Sequence, residues 1–195
     1  MTTLAQARRA LRTHRATPVD DPAALPAAVA LILVEEADGL EALFIRRAER
    51  SGDPWSGQIA LPGGRRDPGD ADLLATVIRE TREETGIDLT AAERLGVLDD
   101  LHPRTPTLPP VSVRPFVFAL ERRPPIAPSI EVQAAFWVSL VRLSEPTTRR
   151  EITLFLRGAE RTFPAYVLGD DVVWGMTERI LTPFLELLEA QGLRG

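Results

Sequence analysis

The chain contains no cysteine, which excludes disulfides and thiol chemistry together. Lysine is missing too: all 23 basic residues are arginine, which we read as coding bias rather than function. No apolar run reaches the roughly 20 residues that a membrane helix needs. No signal-peptide apolar core follows Met1. A net charge of −5 supplies no broad positive field for nucleic acid. The expectation is a soluble, cytoplasmic protein with neither a membrane nor a nucleic-acid partner; a homo-oligomer is left open. At 195 residues, 44% hydrophobic and 26% charged, the chain suits one domain with a substantial core.

Residues 2–15 place Leu4, Ala7 and Leu11 at helical spacing, and residues 18–26 read as a loop. Residues 27–34, AAVALILV, form an apolar run best read as a buried strand. Asp38-Gly39 signals a turn into a second strand over 41–47, so a hairpin is predicted. Residues 58–61 form a short strand that feeds the Pro62-Gly63-Gly64 loop. Further strands are predicted over 95–101 and 111–120, with Pro115 marking an edge or a bulge. Strands follow over 151–157, 163–168 and 172–174, then a last helix over about 177–189 with Ile180, Leu181, Phe184, Leu187 and Leu188 as its apolar stripe. Two proline-rich loops, 102–110 and 122–129, interrupt this order. His102 is one of two histidines; a loop histidine is more often structural than catalytic.

The stretch that organises the rest is 63–87, GGRRDPGDADLLATVIRETREETGI. It reads as a glycine loop, a turn, a helix capped by Asp72, and a stop at Gly86. Leu74, Val77, Ile78, Thr81 and Thr85 make one mostly apolar arc. Glu80, Glu83 and Glu84, at i, i+3 and i+4, fall beside it. Like charges at that spacing destabilise a helix mildly. A hard divalent cation removes the cost, because it wants clustered oxygen ligands. The competing reading is a solvated acidic face paired with Arg79 and Arg82.

The surrounding pattern weighs against that second reading. The stretch resembles the Nudix box: G, five residues, E, seven residues, then REUxEExGU with U apolar. Residues 79–87 fit every charged and glycine position of the second half, with Thr81 where an aliphatic residue is commoner. In the first half, Asp70 stands for the expected Glu, and its distance to Arg79 is one residue longer than usual. A lengthened box of this kind is similar to that of the coenzyme A pyrophosphatase branch. Arg47, Arg50, Gly57 and Leu61-Pro62-Gly63-Gly64 echo the arginine and PGG pattern of that branch.

The resemblance implies an α/β fold, a Nudix-like α/β/α sandwich with a mixed central sheet. Residues 1–26 are then an N-terminal helix and loop, and 27–195 a Nudix hydrolase domain. It implies Mg²⁺ or Mn²⁺ held by Gly63, Glu80, Glu83 and Glu84, and a small-molecule nucleotide substrate contacted by Arg47, Arg50 and Gly64. Glu83, or a loop acid such as Glu131, takes the proton, while Arg79 orients a neighbouring Glu. Trp55 is read as a packed loop anchor. The implied reaction is hydrolysis of a nucleoside diphosphate linked to another moiety, with coenzyme A leading. Alternatives are ADP-ribose, dinucleoside polyphosphates, nucleoside triphosphates, or nucleotide binding without cleavage.

Overall fold

A computed structural model of the chain describes residues 2–49, 56–103, 110–156 and 158–192. The expectations for Arg50 and Trp55 lie outside these residues. The elements run α1 (Leu4–Thr13), β1 (Leu25–Glu36), β2 (Gly39–Arg47), β3 (Ile59–Ala60), β4 (Gly63–Arg65), α2 (Leu73–Thr85) and β5 (Glu93–Val97). They continue with β6 (Val111–Leu120), β7 (Val132–Ser139), α3 (Leu140–Leu143), β8 (Arg149–Leu156), β9 (Ala159–Leu168), β10 (Asp171–Trp174) and α4 (Met176–Gly192). No helix among the described residues is long and apolar enough to cross a membrane.

β1 is the spine. It pairs antiparallel with β2 and β4 and parallel with β6, whose register runs from Leu25↔Val111 to Val34↔Leu120. β3 and β7 extend the sheet from β2, and β5 closes the other side against β6. Buried on both faces, β1 carries apolar residues without alternation, as a central strand should. Ala28, Ala30 and Ile32 join Val77 of α2 in one apolar cluster, with Leu43, Phe116 and Phe118. Leu31 and Leu33 face the other way, into a cluster with Leu4 and Leu11 of α1 and with Ile180, Leu181, Phe184 and Leu188 of α4. Helices therefore cover both faces of a mixed sheet, and the sandwich expected from the sequence is what forms.

Several details differ from the sequence reading. β1 starts at Leu25, inside the predicted loop, because Leu25 N–H donates to Pro110 O and the strand gains a parallel partner there. Gly63 and Gly64 lie in a strand, β4, not a loop. β5 ends at Val97, and Leu101 keeps only a single bridge to Val113. Pro115 sits in an interior strand. Its carbonyl accepts Leu98 N–H at 3.0 Å, but it has no N–H to return to Leu98, and it is at this point that β5 leaves its ladder. The last three strands form a separate antiparallel sheet, β10-β9-β8.

Candidate metal and catalytic centre

Asp72 starts α2 by accepting Ala75 N–H at 2.8 Å, and Gly86, at φ 76°, ends it in the left-handed region. The three glutamates occupy the last two turns. The helix dipole puts partial negative charge there, which adds to their mutual repulsion. At about 100° per residue, Glu80 and Glu84 lie about 40° apart while Glu83 lies about 100° from Glu84. The side chains divide accordingly.

Glu84 turns inward, 5% exposed, and accepts Gly63 N–H at 2.8 Å. Burial pushes its carboxyl up to about 7, reinforced by the charges of Glu80 and Glu131 and opposed by Gly63 N–H and Arg47. Glu80 lies over Gly64, where a Cβ would fall within the carboxylate's own volume. Its carboxyl is raised as well, chiefly by burial. Gly64 pairs with Ala28, on the α2 side of the sheet, which is why its missing side chain leaves room for Glu80. Glu83 points outward with its side chain 59% exposed. It lines an open surface groove of about 850 Å³ with Ile78, Arg82, Asp88 and Thr90, on the side of α2 away from Glu84. The trio read from the sequence is thus a converging pair plus one outward member. Among the described residues no three acidic or histidine side chains are placed to hold one metal ion between them.

Arg79 ties the parts together. Its Nε and Nη2 donate to Asp70 Oδ1 and Oδ2, both at 2.9 Å, while Nη1 reaches Glu83 Oε2 and Glu80 Oε1 at 3.0 Å each. Asp70 is buried, accepts Asp67 N–H and Thr76 Oγ1–H at 2.9 Å, and is held far below the usual carboxylate range, first by Arg79. In the sequence Asp70 is visible only as a substitute in the box, with no part in the expected site. Here it is the anchor that aims Arg79 at the glutamates. A tight turn leads into it, closed by Asp70 N–H on Asp67 O at 2.9 Å.

Arg46 and Arg47 leave β2 on opposite faces. Arg46 pairs with Asp171, whereas the charge of Arg47 acts on Glu84. Glu131 is exposed, immediately precedes β7, and also acts electrostatically on Glu84. So Gly63, Gly64, Arg47, Glu80, Glu84 and Glu131 share one neighbourhood, and Arg79 orders it from behind. His102 is structural: Nδ1 meets Val111 O at 2.8 Å and Nε2 meets Asp21 at 3.2 Å.

A hard divalent cation fits this donor set. Glu84 is buried and Glu80, paired with Arg79, is partly so; burial raises the pKa of both, and a cation beside them would offset the cost of ionising them there. Gly63 meets Glu84 through its N–H, whereas the resemblance assigns its carbonyl to the cation.

The family model of the NUDIX domain matches residues 24–156. The mitochondrial coenzyme A diphosphatase NUDT8 of Mus musculus is 33% identical over 171 residues, 86% of this chain and 79% of that protein. Its namesake in Homo sapiens is 33% identical over 149 residues, 75% of this chain and 62% of that one. The chain therefore spans less than two thirds of the length of the human relative. Among solved structures, a MutT/nudix family protein from Enterococcus faecalis aligns at a TM-score of 0.56 and 21% identity, over 92% of this chain and 66% of that one. That likeness concerns the fold alone.

Proposed function

Because the chain belongs to the Nudix family, we propose that it hydrolyses the diphosphate bond of coenzyme A or its derivatives, with Mg²⁺ or Mn²⁺ held by Glu80 and Glu84. The observation that carries the reading is the pair of carboxylates, Glu80 and Glu84, set against the glycines of β4, with the charge of Arg47 acting on Glu84. The relatives named as coenzyme A diphosphatases support the choice of substrate. Such a cation supplies charge neutralisation for the diphosphate and acidifies the attacking water.

The chain's own residues do the rest. Water oxygen bonds to one phosphorus, and the bridging P–O bond breaks toward the other phosphate. The water's proton passes to Glu131, whose charge reaches Glu84, whereas Glu83 points outward from the Glu80–Glu84 pair. Arg47 offers a guanidinium to the phosphates. Arg79 touches no reacting atom and instead fixes Glu80 and Glu83 against Asp70. Products from coenzyme A are 3′,5′-ADP and 4′-phosphopantetheine.

The test is purified protein with Mg²⁺ and coenzyme A, read by chromatography for 3′,5′-ADP. Cleavage of ADP-ribose or a dinucleoside polyphosphate in preference to coenzyme A would move the substrate assignment and keep the reaction class. Binding of these nucleotides with no turnover of any would sink the enzyme reading.

A further inference from the structure

Between β6 and β7 the chain spans residues 121–131, ERRPPIAPSIE, as a strap laid over the end of α2. A helix end leaves carbonyls without intrahelical donors. Two of those in α2 are met from this strap: Ala127 N–H donates to Thr85 O at 2.8 Å, and Ser129 N–H to Glu84 O at 3.1 Å. Pro128 stands between the two donors, lacks an N–H of its own, and restricts Ala127 to extended backbone. Ile126 packs into the apolar cluster under α2, while Ile130 is 90% exposed, so the strap has a defined inner and outer side. Its start is fixed by Arg123, which pairs with Glu36 at 3.2 Å and with Glu41 across the β1–β2 hairpin.

The far end is held as closely. Glu131 N–H donates to Ser129 Oγ at 3.2 Å, and Glu131 O accepts Ala48 N–H at 2.8 Å. Val132 N–H closes on Ser129 O at 3.1 Å. Ser129 therefore bonds Glu84 through its backbone and Glu131 through its side chain. We propose that Ser129 is a positioning residue that sets the Glu131 carboxylate in register with Glu84 at the end of α2. The proposal rests on the role given to Glu131 above. A serine hydroxyl suits the task, because it accepts from an amide two residues on and locks a turn whose other bonds are all backbone.

The experiment is a double-mutant cycle with Ser129→Ala, Ser129→Thr and Glu131→Gln, followed by kcat and KM for coenzyme A with Mg²⁺. Alongside it, hydrogen exchange of peptides covering 127–133 is measured in metal-free protein, a readout independent of turnover. Ser129→Ala is expected to lower kcat by about five- to tenfold with KM unchanged, and to speed exchange at the Glu131 amide. Ser129→Thr, which keeps the hydroxyl, should retain both properties. In the Glu131→Gln background Ser129→Ala should cost less than about twofold further, because the positioned carboxylate is already gone. Equal losses in both backgrounds, or unchanged exchange at Glu131, would overturn the positioning role while leaving Glu131 in place. A fully active Glu131→Gln would overturn both together.

Discussion

Glu84 keeps its carboxylate at 5% exposure, with Gly63 N–H as hydrogen-bond donor. Its folded pKa, about 7, stands above the ordinary 4.5. Between those values the folded state holds a proton that the unfolded chain has released. Stability of the metal-free protein therefore falls as pH rises through that window. The full effect is on the order of 3 kcal/mol. Urea midpoints in EDTA from pH 5 to pH 8 should decline, and Glu84→Gln should flatten the decline. Matching slopes in the two proteins would remove the basis for calling Glu84 an unneutralised buried charge. Saturating Mg²⁺ should reverse the trend, because a cation takes the ionised carboxylate. Asp70 behaves in the opposite sense. Its pairing with Arg79 stabilises the protein above the usual carboxylate pKa and is lost only in strong acid.

The meeting of β4 with α2 is where adjacent glycines diverge. A Cβ on Gly63 would strike the backbone of Ala28 and Val29, and its φ of 146° is one that side chains rarely adopt. A Cβ on Gly64 would first meet the tip of Glu80, which can move. Gly63→Ala should thus cost about 1–3 kcal/mol of stability. Gly64→Ala should leave the melting temperature within a few degrees of wild type yet lower turnover about tenfold or more by displacing Glu80. Thermal melts paired with kinetics check both, and a Gly64→Ala protein with normal turnover would detach Glu80 from the chemistry. The limits of α2 were legible in its sequence, because Asp72 and Gly86 are local signals that need no tertiary partner. β4 was not legible: its pairing is with a strand more than thirty residues earlier, and two glycines carry no strand propensity. The strap over α2 was equally invisible, since only the fold brings its amides to the carbonyls of Glu84 and Thr85.

Across the whole molecule, the two apolar clusters separate the work of the two faces. α1 contributes Leu4, Ala7, Ala10 and Leu11 to the α4 side and nothing to the cluster under α2. It is capped by the reciprocal Thr3–Gln6 bonds and tethered by Arg8 to Glu93 at 2.7 Å. Removing residues 1–15 should lower the melting temperature by several degrees, because four apolar side chains leave the core. The same truncation should leave Mg²⁺ affinity, measured by calorimetry on the folded protein, within about twofold. A large loss of affinity would mean that the two faces are coupled through the sheet.

The sequence by itself determined α2, the acids it carries, the central strand, the hairpin beside it and the family that these resemble. Each follows from local periodicity, capping chemistry or a box of fixed spacing. Only the tertiary structure decided which glutamates meet. A helix turns 100° per residue whatever its neighbours, but burial against β4 draws Glu80 and Glu84 to the glycines. The fork of Arg79, seated on Asp70, turns Glu83 outward. Spacing along a chain sets which side chains can share a face; what packs against that face sets which of them bury their charge.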